Sequence, residues 1–273
     1  MSDTPGPALA GFVRAHDPDR FLCALFAPAE RRPALFALLA YNHELARARE
    51  AASNPVAALI RLQWWRDAVA EAAKGKPPRR HEVATPLHAA IRDGSLDPAE
   101  LTALADAREA EAEEGLPSRA SLDALLRATS GGVAVASGRL LGASGPVLVA
   151  LQSVGAAYGL AGVLRSVAAH AAQGRCLLPE EALSEAGLSA EQVVRDATLA
   201  TPVTRALAAE ALARFPAYRL AAQAVPREAI AAALPGVFAA RDLRRLAAGR
   251  EVPAPRGFGD RAALTWAGFR RAI

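Results

Sequence analysis

Between Leu140 and Leu164 no residue carries a charge, and that run limits the folds open to the chain more than any other stretch. By length alone it could cross a bilayer. Gly142, Ser144, Gly145 and Pro146 break it near its start, and Gln152 and Ser153 interrupt the apolar part that follows. The expectation is therefore a turn leading into a core helix, not a membrane span. A helix apolar on every side needs neighbours on every side. Of the 273 residues, 52% are hydrophobic but only 5% aromatic, and alanine and leucine outweigh β-branched residues. Strong helix formers fill nearly every window, which predicts an all-helical protein with a buried core.

Arginine supplies every basic residue except Lys74 and Lys76, and the formal net charge is +4. That mild excess suits an anionic small-molecule pocket or an acidic membrane surface. No dense basic block interleaved with aromatics appears, so nucleic acid is not an expected partner. Cys23 and Cys176 stand alone, without the paired spacing of a zinc site, and read as reduced, buried small side chains. The N-terminus lacks a basic start followed by an apolar core, so no signal peptide is expected. There is no nucleotide-binding glycine loop, Ser/His/Asp elbow, zinc helix or fixed-period repeat.

The uncharged run continues into YGLAGVLRSVAAHAAQGRCLLP, Tyr158 to Pro179. Tyr158, Ala161, Leu164 and Ala168 recur at helical spacing, while Arg165, Ser166 and His170 occupy a polar sector. Ser166 and His170, four apart, point the same way. Gly174 supplies a helix stop and Pro179 prevents continuation. Earlier, Asp17-Pro18-Asp19-Arg20 caps a helix through FLCALFA, and Pro28-Ala29-Glu30 opens a second with the stripe Leu35, Leu38, Leu39, Asn42 and Leu45. Asn54-Pro55 breaks that helix and starts another carrying Trp64, Trp65 and Arg66, and KGKPPRR forms a basic loop. An acidic helix is expected from Asp97 to Glu114, a long helix from Leu122 to Leu141, and a capping box at Ser189. Val237 to Leu246 is read as a last body helix with an exposed basic run at Arg241, Arg244 and Arg245, ahead of the amphipathic TWAGFRRAI.

These motifs resemble the squalene/phytoene synthase family. Its second signature, Asn-Ile-Leu-Arg-Asp-x-x-x-Asp ahead of Gly-Arg-x-Tyr-Leu-Pro, is matched in frame by Leu164-Arg165, Gly174-Arg175 and Leu178-Pro179. Its two aspartate positions are Ser166 and His170. The first signature, an aromatic residue followed by Cys-Arg and Asp-Asp-x-x-Asp, aligns without gaps from Tyr41. Its arginine position is then His43, its aspartate pair Ala46-Arg47 and its last aspartate Glu50. Trp64-Trp65-Arg66 matches a Trp-Arg element, and FALLAYNHELARARE and IRLQWWRDAV are closest to the branch that contains the mitochondrial complex I assembly factor.

The resemblance implies a single-domain, all-α isoprenoid synthase bundle around a central cavity, in which aspartates on two facing helices hold magnesium and a prenyl diphosphate. Hard divalent cations want anionic oxygens, and here alanine, arginine, serine and histidine stand in their place. The reading is of a non-catalytic relative without cofactor, acting in respiratory complex assembly or prenyl-lipid binding. Tyr41, His43, Arg47, Glu50, Arg165, Ser166, His170 and Arg175 are the candidates for holding an anionic head group without metal, with capping and core-edge roles as the plain alternative. The competing reading is a head-to-head prenyl diphosphate transferase with altered magnesium ligands such as Glu44, Glu50 and Asp106. Expected partners are an isoprenoid or lipid, respiratory-complex subunits and a membrane surface, in the cytoplasm or peripheral to the inner membrane. A flexible segment over 1–16, a family-like domain over 17–246 and a tail over 247–273 that docks on the body complete the expectation.

Overall fold

Asp17, Asn54, Asp97, Ser118 and Ser189 each turn a side-chain oxygen onto a free backbone N–H at the start of the helix that follows, at 3.1, 2.9, 2.8, 3.1 and 3.3 Å. Each such cap is worth about 1 kcal/mol, and together they punctuate the computed structural model into the helices below. The structure describes residues 6–50, 54–111, 115–270 and 273.

In chain order these are α1 (Gly6–His16), α2 (Pro18–Ala24), α3 (Arg32–Glu50), α4 (Pro55–Ala73), α5 (Ala84–Arg92) and α6 (Pro98–Ala107). Then come α7 (Arg119–Leu126), α8 (Gly132–Leu140), α9 (Pro146–Arg165), α10 (Val167–Ala172), α11 (Glu180–Glu185) and α12 (Ala190–Arg195). The chain ends with α13 (Thr201–Ala222), α14 (Ile230–Ala233), α15 (Pro235–Ala247) and α16 (Phe258–Arg270). Among the described residues there is no strand, and the fold is all-helical; a single parallel bridge joins Leu116 to Pro179.

Helix α9 is long and apolar enough to cross a membrane by length and composition. It lies in the middle of the bundle, packed against α8, α13 and α15. That is where a helix with no polar side belongs. On the other side α3 packs on α1, α4, α5 and α8.

Four expectations need correction. Gly6–His16, placed in a flexible N-terminal segment, forms α1, because Leu9 and Val13 are buried in the main core. The acidic helix from Asp97 stops at Ala107, where Arg108 N–H bonds back to Ala105 O at 3.1 Å and tightens the turn. The helix expected over Leu122 to Leu141 widens into a π-turn over Arg127–Gly131, with Thr129 Oγ1 donating to Leu125 O at 2.7 Å. Of the basic run on α15, Arg241 and Arg245 are not free: both bond Asp260.

Candidate functional site

Helix α9 ends at Arg165 because Ser166, at φ −103° and ψ 11°, breaks the ladder before α10 resumes. The break leaves Arg165 and Ser166 facing α2 and the segment between α15 and α16. A pocket of about 350 Å³ opens there, lined by His16, Asp19, Arg165, Ser166, Arg256 and Arg261.

A buried ion cluster forms its floor. Asp19 sits in the first turn of α2, on the same side as buried Cys23, and Asp242 sits four residues from both Phe238 and Leu246 on the buried side of α15. Arg256 reaches between them, with Nε to Asp19 Oδ1 at 3.0 Å and Nη2 to Asp242 Oδ2 at 2.7 Å. Arg165 Nη1 donates to Asp242 Oδ2 at 3.1 Å and lies 3.5 Å from Asp19 Oδ2. The Tyr158 hydroxyl donates to Asp19 Oδ2 at 3.3 Å. Burial works against the Arg256 charge, but the bonds to Asp19 and Asp242 outweigh it and hold the guanidinium firmly protonated. Burial raises the Tyr158 phenol far above its usual range, and Asp17 and Asp19 add to the effect. One layer out, Asp260 is held below the usual carboxylate range: burial opposes ionisation, and hydrogen bonds from Arg245 and Arg241 overcome it.

Behind this cluster the centre of the bundle is nearly full. Its cavity measures about 20 Å³, between Arg20, Leu35, Leu39, Ser130 and Tyr158. Arg20 closes it: Nη2 donates to Ser130 Oγ at 2.7 Å, Nη1 to Asp17 Oδ2 at 3.1 Å, and the guanidinium lies 4.7 Å from the Tyr158 ring centroid. The space holds about one water molecule, whereas ligand pockets run to ~300–1,000 Å³. The small residues of α8 and α9 serve close approach, as Gly155 and Gly159 show where they meet Ser130 and Gly131.

The candidate residues whose side chains are described do not all converge. Arg165 and Ser166 share the pocket above. His43 lies one ring behind it, stacked on His16 at 4.6 Å, with Nε2 buried and unpartnered; burial first, then His16 and Arg47, push its pKa down to about 4. Tyr41 is turned away from the pocket, a correction to the expectation: it is fully buried and its hydroxyl donates to Leu101 O at 2.8 Å. Arg47 lines a different groove of about 350 Å³ with Ile60, Arg61, Trp64, Trp65 and His81. The Glu50 side chain lies outside the described ones. His170, on α10, has Nδ1 buried without a partner, and burial followed by nearby Arg175 lowers its pKa.

Magnesium is poorly matched by these residues. Ser166 and His170 offer no carboxylate, Arg47 brings a positive charge, and Asp106 is taken by Arg66 at 2.5 Å. Among the described residues no group of three or more His, Cys, Asp or Glu side chains is placed to hold a metal ion. The carboxylates beside the pocket, Asp17 and Asp19, are committed to Arg20 and Arg256.

Residues 13–266 match the model of the squalene/phytoene synthase family. The NADH dehydrogenase (ubiquinone) complex I, assembly factor 6, of Mus musculus is 28% identical over 199 residues, 70% of this chain and 60% of that protein. Its Drosophila melanogaster homolog is 30% identical over 198 residues, 67% of this chain and 57% of that protein. The chain thus spans less than two thirds of the length of these relatives. A dehydrosqualene synthase crystal structure in complex with ligand superposes with a TM-score of 0.80 at 14% identity, covering 98% of this chain and 96% of that one. A squalene synthase from Alicyclobacillus acidocaldarius gives 0.73 at 18%, covering 91% and 95%. At such identities the likeness is one of fold.

Proposed function

This chain belongs to the squalene/phytoene synthase family, and from that premise we propose that it is a non-catalytic member, using the fold as a recognition body in the assembly of a respiratory complex. The observation that carries the reading is the closed interior. A condensing synthase must hold two prenyl chains, and the centre of this bundle offers about 20 Å³. The two guanidiniums nearest the α9 break are already answered by internal carboxylates, Arg165 and Arg256 by Asp19 and Asp242. A diphosphate would have to displace buried ion pairs, and breaking such pairs is costly.

The filled centre leaves a prenyl lipid the outer pockets of about 350 Å³, and it is the relatives that weigh the reading towards assembly. The relatives that carry assembly-factor names cover the greater part of this chain, which supports a respiratory-complex subunit as the partner. The setting that goes with the role is the cytoplasm, peripheral to the inner membrane.

Two measurements test this. The full chain incubated with farnesyl or geranylgeranyl diphosphate and magnesium is expected to release no diphosphate and form no condensed product; turnover would establish the transferase instead. Deletion in its own host is expected to lower assembled NADH dehydrogenase, with rescue by the wild-type chain, and unchanged assembly would remove the proposed role.

A further inference from the structure

Helix α16 is apolar on two sides. Leu264, Ala267 and Gly268 face the bundle, with Gly268 so near Phe26 that a Cβ there would meet the ring at 2.3 Å. On the outer side Phe258, Trp266 and Phe269 are 88%, 65% and 77% exposed. Offsets of eight and eleven residues bring all three to one stripe, with Ala262 between them. Phe269 meets Phe26 edge-on at 6.0 Å, and Leu25, 42% exposed, extends the patch onto the neighbouring turn. Singly scattered apolar residues are ordinary on a surface, whereas a contiguous aromatic stripe marks a contact site.

Charge decides what it contacts. The only acid on α16, Asp260, is buried and taken by Arg241 and Arg245. The exposed charges of the helix are then Arg261, at the edge of the stripe where it also borders the pocket at the α9 break, and Arg270, which lies over the Trp266 ring at 5.1 Å. Beside Phe258, Arg241 Nη2 lies 3.4 Å from where a Cβ on Gly259 would stand. Rings flanked by guanidiniums, with no exposed carboxylate on the helix, complement an anionic surface. The stripe runs about 17 Å along a helix of 13 residues, and its cationic flanks favour an anionic lipid surface over an apolar protein groove.

We propose that α16 is the membrane-contact element of this protein, lying along an anionic phospholipid surface with Phe258, Trp266 and Phe269 among the headgroups and Arg261 and Arg270 on the phosphates. The proposal rests on the peripheral setting argued above and gives it a surface.

Flotation of the full chain with vesicles of phosphatidylcholine, with and without phosphatidylglycerol, tests it. Binding is expected only to the anionic vesicles and to weaken as salt rises. The exposed double variant W266S/F269S is expected to lose binding, and R261Q/R270Q to bind about thirtyfold more weakly, from two arginines near a charged surface. R261Q/R270Q should melt like the wild type, and W266S/F269S, which loses the Phe26–Phe269 contact, within a few degrees of it. Absence of wild-type binding, equal binding to neutral vesicles, or undiminished binding by both variants would overturn the proposal. The assembly role is judged by the deletion and the diphosphate assay, so the two readings fail separately.

Discussion

Arg256 meets Asp19 through a two-point contact, Nε to Oδ1 at 3.0 Å and Nη2 to Oδ2 at 2.6 Å, across 237 residues of chain. The same guanidinium bonds Asp242, so one side chain holds the start and the end of the bundle around two buried carboxylates. Such a cluster adds little over a well-packed apolar core, but removing its central cation leaves uncompensated charge inside. Arg256→Met is therefore expected to cost about 3–5 kcal/mol. Arg256→Lys should fall between, since an ammonium cannot reproduce the fork. Denaturant midpoints measure both, and a loss for Arg256→Met below about 1 kcal/mol would mean that the cluster is idle.

Arg20 is the plug of the central cavity. Arg20→Ala removes the side chain that bonds Ser130 and covers Tyr158, enlarging a space of about 20 Å³. The cost is expected to be about 2–4 kcal/mol, from the cavity and the orphaned Ser130 hydroxyl together. An opened cavity of this kind takes up small apolar molecules. A short isoprenoid alcohol should raise the melting temperature of Arg20→Ala and leave the wild type unchanged. An equal rise in both would show that the wild-type core is already open.

His43 makes stability depend on pH. Burial, the stacked His16 and nearby Arg47 lower its pKa to about 4, against about 6.5 in an unfolded chain. Between those values the unfolded chain binds a proton that the folded one does not. The contribution is thus complete above about pH 6.5 and is lost as pH falls towards 4. After allowance for partial exposure it is on the order of 2 kcal/mol. The difference in urea midpoint between wild type and His43→Gln, followed from pH 7 to 4, should shrink in the wild type's disfavour over that window. A difference that does not change with pH would refute the shift.

The helices and their ends were legible in the sequence because caps and stops are local: Asp17, Asn54 and Ser189 cap, Gly174 at φ +72° stops α10, and the uncharged run is the central helix. The candidate site was legible only at Arg165 and Ser166. The ion pairs join Arg256 to Asp19 across 237 positions and to Asp242 across 14, neither a helical spacing that a window of sequence would report. One signal was available. Asp242 stands four residues from Phe238 and four from Leu246, a carboxylate on an apolar face, and buried carboxylates require partners. The π-turn at Arg127–Gly131 and the turned-away Tyr41 follow from how neighbouring helices cross, which no window of sequence reports.

That crossing is itself testable with two glycines of α9. A Cβ on Gly155 would stand 2.7 Å from Ala134 Cβ, 2.7 Å from Ser130 O and 2.9 Å from Gly131 Cα, whereas one on Gly162 would meet nothing within 4 Å. Alanine gains up to about 1 kcal/mol over glycine inside a helix wherever space allows. Gly162→Ala should collect that gain, on the order of 0.5–1 kcal/mol. At Gly155 the same gain is opposed by contact with backbone that can move only if α8 and the π-turn shift, an overpacking cost of about 1–3 kcal/mol. Gly155→Ala is thus expected to be net destabilising and Gly162→Ala stabilising, on one helix and by one methyl group. Denaturant unfolding of the two variants decides it: stabilisation by both would mean that α8 and α9 are not held at the distance on which the closed core depends.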